Sequence, residues 1–319
     1  METPKGILIP IGGGEDKKRD KAVLERFLNE MGKEDPRIEI ITSATSLPRE
    51  VGNDYKDAFD DLGSRNYDTM DIRRPEEADE ERILERIKKA DGVFFTGGSQ
   101  SKIISILSKT KFLEILKDKY QHEHFVIAGT SAGCAALSDY MIVGGTTEEA
   151  LNKGEIRLTT GLGFIEDIVF DTHFTERGRF ARLMNIVATN PNLLCLGFGE
   201  DTAAIISNRT ISVFGSGVVT IIDGNEISYS NITRVKKGDP ITVERIIIHV
   251  LGEGECFSLD KKQIIKSDNA ILLVKNKDHK WIVSNEGDSA VLFSSEDKEA
   301  AVKFAEEVAS QHNLKLNVM

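Results

Sequence analysis

The sequence predicts an α/β fold, a mostly parallel sheet sandwiched by helices, on two observations. From residue 6 to residue 140, short apolar runs alternate with helical stretches, and this alternation is typical of parallel strands joined by crossover helices. From residue 193 onward the apolar runs are shorter and closer together, which predicts an antiparallel extension of the sheet. Sites in such folds form beyond the carboxyl ends of the strands.

The first half of the chain contains five apolar runs, each followed by a stretch with helical periodicity. The predicted strands are residues 6–11, 37–42, 67–72, 92–95 and 125–128, and the predicted helices are 17–31, 48–62, 76–89, 100–107, 111–120 and 134–140. The glycines at 12–14 lack the spacing of a phosphate-binding motif, so we interpret them as a close-approach turn.

The second half contains shorter runs and one helix that opens near Arg177 and has an apolar stripe. The predicted strands are residues 168–170, 194–198, 203–207, 211–214, 218–222 and 241–251. Residues 260–270 are polar and lysine-rich, which predicts a boundary between a domain of residues 1–259 and a small β-β-β-α unit of residues 260–319. That unit has predicted strands at 271–274, 281–284 and 290–293, a helix at 296–312 and a last extended run at 314–318. A unit this small is expected to pack on the main domain or on a second subunit.

Charge and composition exclude several classes of function. The formal net charge of the 319 residues is −11. This charge argues against binding of nucleic acid, because such binding requires a basic surface. The cysteines Cys134, Cys195 and Cys256 are far apart in the sequence. This spacing predicts free thiols in a reducing compartment. No basic start precedes an apolar run and no apolar run approaches 18 residues, so we expect a cytoplasmic protein without a membrane partner. The sequence has no H-E-x-x-H pattern and no Cys/His cluster, so we expect neither a metal nor another cofactor.

The most informative stretch is the apolar run 125–128 followed by Gly-Thr-Ser-Ala-Gly at 129–133. A buried strand that turns sharply into a helix through G-x-S-x-G predicts a nucleophile elbow. The glycines permit strand and helix to approach closely, and the serine is expected to have a strained backbone. The pattern therefore predicts Ser131 as a nucleophile held above the carboxyl edge of the sheet.

A serine nucleophile requires a base, and a histidine with a pKa near neutrality suits that role. Among the six histidines, His173 is the one at the end of an apolar run inside the main domain and downstream of the elbow. In an extended segment, Asp171 and His173 point to the same side. We therefore predict His173 as the base.

A third group must orient the imidazole, and two N–H donors must stabilise the oxyanion. The acidic candidates between the serine and the histidine are Asp139, Glu148, Glu149, Glu155, Glu166, Asp167 and Asp171. Loop position favours Glu148 or Glu149, and the order Ser…acid…His occurs in other elbow hydrolases. By position, the oxyanion donors are Ala132 and either Gly98 or Gly97.

With these residues in place, the chain resembles the cyanophycinases and their relatives among the serine peptidases, which include aspartyl dipeptidase (peptidase E). The resemblance rests on the motifs at 12–16, 95–100, 129–133, 143–145 and 171–183, in that order, and covers about residues 5 to 258. It implies a flavodoxin-like, class I amidotransferase-like fold, a homodimer, and cyanophycin as substrate. Cyanophycin is a polyaspartate backbone with arginine joined to each side-chain carboxylate, and the implied product is the β-Asp-Arg dipeptide.

The resemblance also implies roles for individual residues. The family's nucleophile falls on Ser131, its base on His173 and its acid on Glu149. Its substrate-binding residues fall on Gln100, Asp171, Thr172, Arg177, Arg179 and Arg182. Asp171 can pair with a guanidinium of the substrate, and the arginines can clamp free carboxylates.

The chain departs from the family at Thr172, where cyanophycinases usually have glutamine. A shorter side chain with one hydroxyl cannot form the same two-ended hydrogen bonds as the glutamine amide, so other substrates stay open. The alternatives are an aspartyl or isoaspartyl dipeptidase acting on short peptides, and a non-catalytic binder of aspartyl or arginyl peptides. An amidotransferase-like enzyme is disfavoured because such enzymes have cysteine where this chain has Ser131.

Overall fold

The computed structural model describes residues 3–265, 271–277, 280–285, 291–312 and 315–318. Its helices are α1 (Ala22–Asn29), α2 (Pro48–Asp61), α3 (Pro75–Ala78), α4 (Glu81–Lys89), α5 (Gln100–Leu107), α6 (Lys111–His122), α7 (Ala132–Ala136), α8 (Phe180–Thr189) and α9 (Lys298–His312). The strands of the first half are β1 (Ile7–Ile11), β2 (Ile38–Ile41), β3 (Tyr67–Met70), β4 (Gly92–Phe95), β5 (Val126–Thr130), β6 (Ser138–Gly144), β7 (Arg157–Thr160) and β8 (Ile165–Asp171). The later strands are β9 (Leu194–Phe198), β10 (Thr202–Ser207), β11 (Thr210–Gly215), β12 (Val219–Asp223), β13 (Tyr229–Ser230), β14 (Val243–Glu244), β15 (Ile247–Leu251), β16 (Cys256–Ser258), β17 (Gln263–Ile265), β18 (Ile271–Lys277), β19 (Lys280–Asn285), β20 (Phe293–Ser295) and β21 (Lys315–Val318).

A nine-stranded sheet forms the centre of the part of the chain that precedes residue 266, in the order β17-β16-β11-β10-β1-β5-β4-β2-β3. Strands β1, β5, β4, β2 and β3 are parallel, whereas β10 joins β1 in the antiparallel sense and β11 and β16 continue that pattern. The α/β fold class and the antiparallel extension are thus confirmed. Strands β1, β2, β4 and β5 are fully buried, which explains why they read as continuous apolar runs.

Two separate cores lie on the two faces of this sheet. One core joins the sheet to α1 and α2, with Phe27, Phe59 and Phe94 in mutual ring contact. The other core joins the nine-stranded sheet to α4–α7 and to a second sheet. Phe170 and Phe198 of the second sheet are part of this core and are in ring contact. Helices α1 and α2 therefore pack on one face, and helices together with a second sheet pack on the other.

The second sheet has six strands in the order β15-β12-β9-β8-β6-β7. Strands β6, β8 and β9 are parallel and the others antiparallel. Its outer face packs against α8 through a third core that contains Leu183, Ile186 and Val187. The expectation of one extended sheet was wrong for β9, β12 and β15, because β9 pairs with β8, β12 with β9 and β15 with β12, all in the second sheet.

The elbow helix is shorter than the sequence predicted. Helix α7 ends at Ala136 and strand β6 begins at Ser138, so the predicted helix at 134–140 is wrong in its second half. The residues 138–144 are needed as a strand of the second sheet, next to β8. A short local run cannot reveal this tertiary requirement.

The chain divides into two compact units, residues 1–264 and residues 265–319. The sequence predicts this boundary between 259 and 260, whereas the first compact unit extends to residue 264, because β17 pairs within the nine-stranded sheet. The second unit contains a sheet of order β20-β19-β18-β21, in which β21 is parallel to β18, and α9, whose Ala301 and Ala305 pack on Val274 and Val283. Ala290 and Leu314, which the sequence assigned to strands, lie outside the described residues.

Among the described residues, no helix is both long enough and apolar enough to cross a membrane. The same residues contain no group of three or more His, Cys, Asp or Glu arranged to hold a metal ion.

Candidate active site

Ser131 sits at the sharp turn between β5 and α7. Its backbone has φ 50° and ψ −109°, a left-handed conformation that is strained for a residue with a side chain. A Cβ at Gly129 would lie 2.7 Å from the carbonyl carbon of Gly133, and one at Gly133 would lie 2.3 Å from the oxygen of Phe95. The predicted close approach and the predicted strain are both present, so the segment has the geometry of a nucleophile elbow.

The His173 imidazole faces the serine, as the sequence predicted. Its Nε2 lies 2.9 Å from Ser131 Oγ, within hydrogen-bond distance of the proton that a base must remove. His173 follows β8 with φ 48°, and its backbone N–H donates to the carbonyl of Gly12 at 2.9 Å. Strand β8 belongs to the second sheet, so the serine and the histidine reach each other from different sheets.

The acid at the other ring nitrogen is Glu200. Its Oε1 lies 2.6 Å from His173 Nδ1, which completes a hydrogen-bonded chain from serine to imidazole to carboxylate. Glu149, which the sequence favoured with Glu148 for this position, lies in an exposed loop where its N–H donates to Thr146 Oγ1. The prediction that Glu149 contacts the imidazole is therefore wrong.

Glu200 lies outside the part of the chain in which the acid was predicted. The predicted acids all lie between Ser131 and His173, whereas Glu200 comes later, in the order Ser…His…Glu. Glu200 closely follows β9, and β9 is parallel to β8 and adjacent to it. Since the carboxyl ends of parallel neighbours meet at one edge, the short run 194–198 followed by Gly199-Glu200 was a usable signal.

The two expected oxyanion donors flank the serine. Ala132 is the first residue of α7, and a Cβ built on Gly97 would lie 3.5 Å from Ser131 Cβ. Gly98 and Ala132 line the same cavity as Ser131 and His173, with a volume of about 260 Å³. Backbone N–H groups in these positions are suited to stabilising the oxyanion of a tetrahedral intermediate.

The cavity brings together nearly all the residues that the sequence nominated. Besides the serine, the histidine and the two donors, its lining includes Gln100, Asp171, Thr172, Arg177, Arg179 and Arg182. The Gln100 amide donates to the carbonyl of Ile142 at 3.2 Å, which ties it to the opposite wall. Glu149 is the nominated residue that is missing from this lining.

Asp171 is already paired with two arginines of its own chain. Arg179 Nη1 lies 2.9 Å from Asp171 Oδ1, and Arg182 Nε lies 3.2 Å from Oδ2. Arg179 also donates to the carbonyl of Thr172 at 2.6 Å, and the Thr172 N–H donates to Asp171. A carboxylate held in this way fixes the two guanidinium groups, and its pairing with a guanidinium of a substrate stays a prediction.

Burial dominates the electrostatics of this ion cluster. It raises the pKa of the Asp171 carboxyl, although Arg182 and Arg179 oppose the shift. It also lowers the pKa of Arg179, although Asp171 opposes that shift. For Asp171, burial opposes the ionised form more than the two arginines favour it. For Arg179, repulsion from Arg182 and Arg177 acts in the same direction as burial.

The cysteine next to the elbow is not positioned as a nucleophile. Cys134 is buried, and burial raises the pKa of its thiol well above the usual range. A thiol with a raised pKa carries little of the reactive thiolate. The side chain that meets the imidazole is the Ser131 hydroxyl.

Comparison with known proteins places the chain in a family. The model of Peptidase family S51 matches residues 7–214. The chain is 35% identical to a Cyanophycinase of Synechococcus elongatus over 261 residues, which cover 82% of this chain and 81% of that protein. It is 34% identical to a Cyanophycinase of Trichormus variabilis over 275 residues, 85% of this chain and 92% of that protein.

The chain belongs to peptidase family S51. It is therefore a serine peptidase, in agreement with the serine at the elbow. A solved structure, of a peptidase from an acI-B1 Actinobacterium, matches this S51 peptidase with a TM-score of 0.59 at 20% identity, covering 80% of this chain and 98% of that one. That likeness supports the fold.

Proposed function

We propose that this S51 peptidase hydrolyses cyanophycin to β-Asp-Arg dipeptides through an acyl-enzyme on Ser131. The observation that carries the proposal is the hydrogen-bonded chain Ser131–His173–Glu200, with 2.9 Å and 2.6 Å between the bonded atoms. Relatives named cyanophycinase, 35% and 34% identical over most of the chain, support the choice of substrate.

In the first half of the reaction, Ser131 Oγ attacks the backbone carbonyl carbon next to an aspartyl unit. His173 Nε2 takes the hydroxyl proton as the C–O bond forms, and Glu200 stabilises the imidazolium through Nδ1–H. The N–H groups of Ala132 and Gly98 stabilise the oxyanion, each contributing about 3 kcal/mol to transition-state stabilisation. Collapse of the intermediate passes the proton from His173 to the leaving amine.

In the second half, water attacks the acyl-enzyme. His173 removes a proton from that water and then returns a proton to Ser131 Oγ, so that the free enzyme is restored. The carboxylate product leaves with its β-linked arginine.

The charges in the cavity favour recognition of substrate carboxylates. Three arginines and one aspartate line it, and the aspartate is already paired with Arg179 and Arg182. Arg177 is exposed and has the planar donor fork that binds a carboxylate bidentately. We assign binding of the α-carboxylate of the β-linked arginine to the three arginines of the cavity, Arg177, Arg179 and Arg182.

Product analysis tests the proposal directly. Cyanophycin incubated with the wild-type protein is expected to release β-Asp-Arg, detected by mass spectrometry, and Ser131→Ala is expected to release none above background. Cleavage of short Asp-X or isoaspartyl peptides without release of dipeptide from cyanophycin would favour the dipeptidase alternative.

A covalent probe separates an enzyme from a non-catalytic binder. A fluorophosphonate is expected to label the wild-type protein at Ser131 and to leave Ser131→Ala unlabelled, because attack on phosphorus requires an activated hydroxyl. Absence of labelling in the wild type would favour a binder of aspartyl or arginyl peptides.

The proposal includes a homodimer, as the resemblance implies, and a cytoplasmic location, as the sequence predicts. Light scattering after size-exclusion chromatography is expected to give twice the 35.3 kDa of one chain. The mass of a single chain would contradict the dimer without affecting the chemistry.

A further inference from the structure

The proposed triad is assembled from two different sheets. Ser131 follows β5 of the nine-stranded sheet, whereas His173 and Glu200 follow β8 and β9 of the six-stranded sheet. A shift of one sheet against the other by about 1 Å would separate the serine from its base, and a displacement of that size can cost about 100-fold in rate. Something must therefore fix the two sheets at this edge.

Three consecutive carbonyl groups, from the last residue of β1 and the two residues after it, provide that connection. The N–H of Ser131 donates to Ile11 O at 3.1 Å, that of His173 to Gly12 O at 2.9 Å, and that of Asp201 to Gly13 O at 2.9 Å. Asp201 is the neighbour of Glu200 in sequence. A single tripeptide thus binds the backbone at or next to each member of the triad.

The loop is held in turn from the other side. The Gly12 N–H donates to the carbonyl of Thr202 at 2.8 Å, and the Asp16 N–H donates to Asp201 Oδ1 at 2.9 Å. These bonds fix the loop to the segment that carries Glu200.

Gly13 also meets the imidazole itself. Its φ is +100°, and a Cβ built there would lie 2.5 Å from His173 Cε1 and 2.7 Å from Nε2. The base therefore packs into the space that a side chain at 13 would fill. Gly13 does not belong to the lining of the cavity, so it acts on the reaction through His173.

We propose that Gly13 is a positioning residue for the base: its missing side chain and its carbonyl set the place of the His173 ring and of the Glu200 segment relative to Ser131. This inference rests on the proposed function, since it assumes that the Ser131–His173–Glu200 chain performs the hydrolysis. It also accounts for the glycine-rich loop that the sequence indicated only as a close-approach turn.

The decisive variant is Gly13→Ala, with Gly238→Ala as matched control. Gly238 has φ +91°, and a Cβ added to it would meet nothing within 4 Å, so its alanine variant reproduces the backbone strain without touching His173. We expect Gly13→Ala to lower kcat on cyanophycin about 100-fold with KM within about threefold. The fluorophosphonate labelling rate should fall in parallel, and Gly238→Ala should keep wild-type values of all three.

Gly14→Ala is expected to have an intermediate effect on activity. Its Cβ would approach the Glu200 Oε2 atom at 2.9 Å, and that carboxylate is 45% exposed and can move. We expect a fall in kcat of about tenfold or less, between the control and Gly13→Ala.

A double variant keeps the test informative if Gly13→Ala is poorly folded. In Gly13→Ala/His173→Ala the imidazole is absent, so the methyl group added at position 13 has no ring to collide with. We therefore expect the melting temperature of the double variant to lie below that of His173→Ala by no more than the melting temperature of Gly238→Ala lies below that of wild type. A folded Gly13→Ala protein with wild-type kcat, or a double variant as unstable as the single one, would overturn the inference. Absence of labelling in the wild type would instead show that the proposed function fails.

Discussion

The two sides of the cavity are held by different kinds of interaction. On the hydrolytic side, Ser131 and His173 are fixed by backbone hydrogen bonds to Ile11 and Gly12. On the arginine side, Asp171 holds Arg179 and Arg182 through side-chain charges that are largely buried. The first side takes its geometry from the sheets, whereas the second takes it from three particular side chains.

This difference should separate the kinetic effects of substitutions. Backbone bonds survive most side-chain changes, so variants on the hydrolytic side should act through the chemical groups themselves and lower kcat. The ion cluster contacts substrate through guanidinium groups whose orientation depends on Asp171, so variants there should act mainly through KM.

The largest effect is expected at the acid of the triad. Glu200→Gln removes the charge that stabilises the imidazolium, and we expect kcat to fall about 1,000-fold with little change in KM. The fall should be somewhat smaller than for a fully buried acid, because the Glu200 side chain is 45% exposed. Steady-state kinetics on cyanophycin provides the measurement.

Glu149→Gln is the matched control for that variant. Glu149 lies in an exposed loop, and we expect wild-type kinetics from its glutamine variant. If Glu149→Gln were the inactive variant and Glu200→Gln the active one, the assignment of the acid would have to be reversed.

The same contrast explains how far the sequence could predict the site. Ser131, Ala132 and His173 were identified because their signals are local: an apolar run, then a glycine-rich turn or a polar residue at the end of a strand. Glu200 was missed because its role depends on which strands are neighbours, and the pairing of β8 with β9 is a tertiary fact.

The arginine side was only half predictable for a related reason. The resemblance assigned Arg179 and Arg182 to substrate binding, and their residue type suits the binding of carboxylates. That the carboxylate is Asp171 of the same chain depends on α8 turning back towards the end of β8. The second sheet was not predicted for the same reason, because a short apolar run does not indicate which strand it pairs with.

A smaller effect, on stability, is expected at the buried carboxylate of Glu15, which is hydrogen-bonded to the last residue of β5. Glu15 is 3% exposed and accepts hydrogen bonds from the hydroxyls of Tyr55 and Thr130, the latter at 2.6 Å. Thr130→Val keeps the shape but removes one donor from a buried carboxylate, and we expect a loss of about 2 kcal/mol in the free energy of unfolding. Denaturant titration measures it.

Thr130→Ser provides the comparison, because it keeps the hydroxyl and loses a methyl group. We expect it to lose about 1 kcal/mol, the transfer free energy of one buried methyl group. A Thr130→Val protein as stable as wild type would mean that the hydrogen bond to Glu15 contributes little.

On the arginine side, Asp171→Asn should raise KM for cyanophycin about tenfold while kcat changes less, because the two guanidinium groups lose the charge that orients them. Arg177→Ala should raise KM by a similar factor with an unchanged melting temperature, since Arg177 is exposed. A fall in kcat at constant KM in either variant would contradict the separation of the two sides.

The smallest effect concerns pH, where the two sides should differ in sign. Burial raises the pKa of Asp171, so its ionisation opposes folding and that cost disappears once the group is protonated. Backbone N–H groups of Lys18 and Lys21 lower the pKa of Asp16 from 3.8 to about 2, so this carboxylate stabilises the loop above pH 3.8 and loses its effect as pH falls towards 2. We expect Asp16→Asn to lower the melting temperature slightly at pH 7, and to show a smaller further loss than wild type between pH 4 and pH 2. If the two proteins lost stability in parallel over that range, the carboxylate of Asp16 would not be the group that holds the end of the glycine-rich loop.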